Sequence, residues 1–159
     1  MSSGIVASAG AKGAKQFGIL YELVGDVGIV VMGPAIDVAE FDAYVQAAVK
    51  LAPSVRVVLV VPGYSADLTA GQRAKLRAAG LLRSPTAVLT HSAIARSVMT
   101  AIRWMGGTVA AFKPDRFDEA FDYLKIAEAL RPQIRARIAA MRPRVRGFEE
   151  STLHEAGIS

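Results

Sequence analysis

Two periods of apolar residues alternate along this chain. FGILYELV (17–24) and IVVMG (29–33) are short, β-branched and aromatic, and Gly25, Asp26 and Gly28 between them supply turn chemistry, so the pair predicts a β-hairpin. In DVAEFDAYVQAAVKLA (37–52), Val38, Phe41, Val45, Ala48, Val49 and Ala52 recur at helical spacing. Asp37 with Glu40 three residues on predicts an N-terminal capping pair, and Pro53 a stop. VRVVLVVPG (55–63) is a continuous apolar run and predicts a central strand buried on both faces. TAGQRAKLRAAGLL (69–82) is a more polar helix that ends around Gly80, and TAVLT (86–90) is a further strand. SAIARSVMTAIRWMG (92–106) puts Ile94, Val98, Ile102 and Met105 on one stripe, expected to face the core. TVAAF (108–112) predicts the last strand, and DRFDEAFDYLKIAEAL (115–130) a helix with Phe117, Phe121 and Leu124 inward. Residues 132–145 form one more helical pattern, with Ile134, Ile138 and Met141 on one side.

The order ββαβαβαβα calls for an α/β fold. It is a mixed, largely parallel sheet of four to five strands with flanking helices and right-handed crossovers, plus a basic helix at the C-terminal side. The pattern divides the chain into a glycine-rich lead (1–16), a domain (17–130), and a basic helical arm with an acidic tail (131–159).

Composition adds limits to that picture. With 159 residues and 52% hydrophobic positions the chain can build one ordinary core. It has no cysteine, which removes disulfide and thiolate chemistry and fits a reducing cytoplasm. No stretch is apolar for the roughly 18–20 residues a membrane helix needs, and MSSGIVASAGAKGAKQ lacks the apolar centre of a secretion signal, so the expected location is cytoplasmic. The net charge of +5 is concentrated in RPQIRARIAAMRPRVRG (131–147), which holds no acid. Basic residues gathered in one arm, without interleaved aromatics, argue against nucleic-acid binding. Two readings of the arm stand: its apolar stripe packs on its own domain, or the arm is a docking or self-association helix.

The chemistry of the side chains points away from catalysis. His91 and His154 lie far apart and have no ligand partner at helical spacing, so no metal site is expected. There is no nucleophile elbow and no dinucleotide fingerprint. Lys75 comes too late after Gly63 to be a phosphate-loop lysine. Adjacent residues such as His91 and Ser92 rarely face one another, and a serine there is the natural cap of the next helix. The expectation is a protein that is not an enzyme and carries no cofactor.

The hairpin leading into VVMGPAIDVAEFDAYV, the strand VRVVLVVPG feeding a loop and helix, and the late TVAAFKPDRFDEAFDYL resemble the STAS domain family (sulphate transporter and anti-sigma factor antagonist), whose fold is related to the lipid-binding CRAL-TRIO domains. The resemblance spans residues 17–130. It implies a regulatory or adaptor domain that binds a partner protein, an anti-sigma or kinase-like protein or a scaffold, through the loop after the central strand. In the anti-sigma factor antagonists that loop carries Asp-Ser-Ser-Gly. Here Leu68 holds the aspartate position, Thr69 the phosphoacceptor position, Ala70 the second serine, and Gly71 the glycine. The resemblance thus makes Thr69, and secondarily Ser65, a phosphoacceptor candidate, and Tyr64, Ser65, Asp67, Thr69, Arg73 and Arg77 partner-binding candidates. Read from the residues alone, Thr69-Ala-Gly-Gln72 is a capping box. The CRAL-TRIO relationship implies an alternative, a module that binds a lipid or nucleotide at the same end of the sheet or under the C-terminal arm.

Overall fold

The computed structural model describes residues 17–63, 66, 68–104 and 108–148. Two antiparallel strands, β1 (Ile19–Val24) and β2 (Val27–Met32), open the fold. They are joined by Gly25-Asp26 alone, with Gly25 at φ +59, the positive φ that a two-residue hairpin turn asks of its first position. Gly28 does not belong to the turn as expected. It lies inside β2, where a Cβ would stand 2.8 Å from the Tyr21 hydroxyl, so its role is to leave room for that ring.

From β2 onward the sheet is parallel. β3 (Val57–Pro62), β4 (Thr86–Leu89) and β5 (Val109–Phe112) add in sequence order, giving β1-β2-β3-β4-β5. The architecture is therefore α/β with a five-stranded mixed sheet. The connecting helices are α1 (Val38–Leu51), α2 (Ala70–Ala78) and α3 (Ala93–Trp104). Successive right-handed crossovers in one direction set all three on one face of the sheet. Two further helices, α4 (Phe117–Leu124) and α5 (Arg131–Met141), cover the other face.

The two faces are covered unequally. On the α4/α5 side, Leu20, Ile29, Val57, Leu59 and Leu89 meet Phe121, Leu124, Ile134, Ile138 and Met141 in one continuous core. On the α1/α2 side a smaller cluster is built on Ile19, Tyr21, Val30, Met32 and Ala48. β3 shows the difference along its length: Val57, Leu59 and Val61 are buried, while Val58 and Val60 on the opposite face are only partly covered. The unbroken apolar run predicted burial on both faces; the α1/α2 layer leaves one of them incompletely roofed.

Helix ends follow local rules. Asp37 accepts from the Glu40 N–H at 2.8 Å and Glu40 accepts from the Asp37 N–H at 3.1 Å, the expected capping box of α1. α2 ends with Gly80 at φ +74; the Leu81 N–H bonds to Leu76 O and the Gly80 N–H to Arg77 O, the Schellman closure. The helix predicted over 115–130 is shorter. It stops at Leu124, because Lys125 takes the left-handed conformation (φ 55) and the Ile126 N–H turns back to Phe121 O, which puts Ile126 into the core. The α3 stripe also departs from expectation at its start: Ile94 is 80% exposed, and the partly covered positions are Ala95, Arg96 and Met99. Arg96 donates to Thr90 O at 2.8 Å, which anchors that side of the first turn to the end of β4. The side chains of Val98 and Ile102, and Met105 as a whole, lie outside the described residues.

The arginine-rich segment 131–147 is part of the main core. Ile134, Ile138 and Met141 are buried with the sheet residues, and the chain then returns to pair Phe17 with Val145 through Phe17 N–H to Arg144 O and Arg146 N–H to Phe17 O. The apolar stripe of α5 is thus used within the domain, which leaves its arginines as the outward feature.

Candidate functional site

The parallel strands β2 to β5 all end on the same side of the molecule, and their following loops meet the starts of α1, α2 and α3 there. This is the end where α/β sheets place their binding sites. The loop after β3 is fixed at its base by the Gly63 N–H, which donates to Met32 O at 2.9 Å, and by the Ala66 N–H, which donates to Gly63 O. Of the residues predicted for the site, Tyr64, Ser65 and Asp67 lie outside the described residues. Thr69, Arg73 and Arg77 are described, and all three are exposed on α2 or at its start.

Thr69 is the cap that the spacing predicts. Its Oγ1 accepts from the Gln72 N–H at 3.1 Å, and Gln72 Oε1 accepts from the Thr69 N–H at 2.9 Å. Arg73 donates to Leu68 O at 2.5 Å, which ties the helix back to the loop. Lys75 bridges to Asp42 of α1 at 2.8 Å with both side chains about half exposed. Leu76 is the buried residue of α2; Arg73 and Arg77, one turn apart, share one exposed flank of the helix, and Lys75 lies on the other, toward α1.

Beside this loop, Thr90 and Ser92 close the end of β4. Ser92 Oγ accepts from the Ala95 N–H at 3.0 Å, so it caps α3, and its own N–H donates to Thr90 Oγ1.

The electrostatics of this half of the molecule are one-sided. From residue 68 to 114 the sequence contains Arg73, Lys75, Arg77, Arg83, Arg96, Arg103 and Lys113, and no Asp or Glu. Among the described residues Lys75 pairs with one acid, Asp42 of α1. Among the described residues Arg77, Arg83 and Lys113 form no ion pair.

The arm is the opposite case. Arg131 pairs with Asp122 at 3.1 Å and Arg135 with Asp118 at 3.0 Å. Arg137 and Arg144 converge on Glu22 of β1 at 3.3 and 3.5 Å, and Arg146 reaches Glu40 of α1 at 2.6 Å. Arg142 lies over the Phe148 ring at 5.1 Å. Glu40 does three tasks at once: it completes the α1 capping box, accepts from the Gly18 N–H at 3.1 Å, and holds Arg146. Sequence reasoning found Glu40 as a cap but not as this clasp, and it did not single out Glu22. The available signal was a carboxylate in the otherwise apolar strand ILYELV.

Among the described residues no group of three potential metal ligands gathers, and no helix is long and apolar enough to cross a membrane. Comparison with family models, with curated proteins and with solved structures finds no match to this chain.

Proposed function

We propose that this chain is a non-enzymatic, STAS-like adaptor or regulatory domain that binds the acidic surface of a partner protein. The docking elements are the loop after β3 and the exposed flank of α2 that carries Arg73 and Arg77. The observation that carries this reading is the cationic stretch 68–114, which contains no acid and in which Arg77 has no ion-pair partner among the described residues. An exposed arginine ridge beside a loop at the carboxyl end of a sheet suits recognition of carboxylates, which arginine binds in a forked, two-point geometry. The setting that goes with this reading is cytoplasmic.

Phosphorylation of Thr69 is the regulatory step that belongs to this proposal, with Ser65 as the second acceptor. A phosphate on Thr69 would replace the cap by a doubly charged group at the start of α2, next to Arg73. It would neutralise the ridge that receives the acidic partner, so the modified form is the released form.

The test is a crosslinking capture of partners from native lysate with the wild-type chain and with R73E/R77E, followed by phosphosite mapping. The expected result is a protein whose capture weakens with salt and is lost in the charge-reversed variant. Equal capture by both chains would overturn the proposal.

A further inference from the structure

At the opposite end of the sheet, between α1 and α2, the incompletely roofed face of β3 floors a partly open pocket of about 90 Å³. Its walls are Ala48 and Ala52 of α1, Val58 and Val60 of β3, and Leu76 and Leu81 at and beyond the end of α2. Leu82, 38% exposed, stands at its rim. Tyr21 of β1 and Tyr44 of α1 also line it, with their rings edge to face at 5.6 Å, as do the polar Ser84 and Thr86 at the start of β4. Among the described residues neither phenol hydroxyl makes a hydrogen bond.

This combination is unusual for a packing defect. Buried hydroxyls ordinarily find a partner, in protein or in water. Here two hydroxyls with no partner among the described residues face one largely apolar space that is partly open to solvent. Gly28 contributes to the arrangement, because any side chain there would meet the Tyr21 hydroxyl. Burial raises the pKa of both tyrosines, and Tyr44 is pushed further by Tyr21, so both hydroxyls are neutral donors throughout the physiological range. No Lys, Arg, His, Asp or Glu lines the cavity. A charged ligand would lose its hydration there without a counter-charge.

We propose that this cavity binds a small, largely apolar molecule with one neutral hydrogen-bond acceptor, a ketone or ether oxygen, held by the Tyr44 and Tyr21 hydroxyls. The space is smaller than the engineered cavity of about 150 Å³ that takes benzene, so the class is compact molecules of a few carbons whose remaining atoms lie toward Leu82. The site lies under α2, against the sheet, whereas the proposed docking surface is the exposed flank of that helix and the loop at its start.

The test is a pair of ¹H–¹⁵N titrations of the full chain, one with cyclopentanone and one with cyclopentane. Saturable shifts are expected at the amides of Ala48, Leu76 and Leu81 with both probes. The ketone should bind about fivefold more tightly, the worth of one neutral hydrogen bond. In Tyr44→Phe, which removes only a hydroxyl without a partner, the ketone's advantage should fall to about one while the cyclopentane affinity holds. Tyr21→Phe gives the same readout should Tyr44→Phe not fold. Absence of saturable shifts in the wild-type chain, meaning that hydration water alone occupies the space, overturns the proposal. So does equal affinity for the two probes, or a ketone preference that survives both substitutions. R73E/R77E should leave the titrations unchanged, so this site and the protein-docking surface fail or stand separately.

Discussion

The molecule has two arginine-rich regions, and they are used in opposite ways. In the arm, Arg131, Arg135, Arg137, Arg144 and Arg146 each find a carboxylate, and the acids come from β1, α1, α4 and the turn before α5. On α2 the cations are exposed, with Asp42 the one acid that pairs with them among the described residues. The denser basic run in the sequence is therefore the one that is internally neutralised. Local charge density is a poor guide to a docking surface; what matters is whether the fold brings acids to it.

The comparison can be broken in several places. The largest effect is expected from Ile134→Ala on α5, a fully buried position, at about 3 kcal/mol of lost stability in urea unfolding. A loss under about 1 kcal/mol, far short of a buried-core substitution, would mean that the arm does not belong to the core and that its arginines are free after all.

Next is Glu40→Ala, which removes half of a capping box, the acceptor for the Gly18 N–H and the partner of Arg146 together. The expected cost is about 2 kcal/mol, with Arg146 partly exposed and so able to recover some hydration. Combined with Arg146→Ala in a double-mutant cycle it should show a coupling of about 1 kcal/mol. Simple additivity would remove the clasp from the account.

Arg77→Ala should change stability by less than about 0.5 kcal/mol, since the side chain is exposed and makes no ion pair among the described residues. The same substitution should weaken partner capture. Stability and binding separate on α2, whereas on the arm charge and stability are joined.

The last prediction distinguishes the arginine clasp from the tyrosine pair by pH. Tyr21 and Tyr44 have raised pKa values in the folded chain, caused first by burial. A raised folded pKa favours the folded state's protonated form, so their contribution is complete below the unfolded value of about 10 and is lost as pH rises above it. Arginine keeps its charge there. Thermal unfolding should therefore show no tyrosine effect at neutral pH and a fall above about pH 10, less steep in Tyr44→Phe. An identical alkaline limb in that variant would show that the loss arises elsewhere.

Much of the fold was legible because its signals are local. The two-residue Gly25-Asp26 turn, the Asp37–Glu40 and Thr69–Gln72 boxes, the Ser92 cap and the Gly80 stop each depend on residues a few positions apart. The strand order follows from alternation of elements and a single crossover hand. What was not legible depends on distant residues. Gly28 looked like part of a turn because its real constraint, the Tyr21 ring, is on the neighbouring strand. Arg146 and Glu40 are 106 positions apart, so no window of sequence could show that the arm is clasped to α1. Ile94 is exposed while Arg96 is the residue anchored to the end of β4, through Thr90 O, a contact that periodicity does not contain. At the candidate site Thr69 was readable as a cap, while the absence of Asp and Glu from residues 68–114 becomes meaningful only once the fold has distributed Glu22 and Glu40 to the other basic region.

Glu22 has a further consequence. β1 is an outer strand of the sheet, and an outer strand can template the addition of a foreign one. A carboxylate turned inward from such a strand is one device that keeps sheets from joining edge to edge. Here the charge is held at 5% exposure of its side chain by Arg137 and Arg144. A second chain pairing along β1 would have to fit beside that ion cluster without disturbing it. The arm that neutralises Glu22 thereby lets the edge keep a residue that guards the protein against self-templated aggregation.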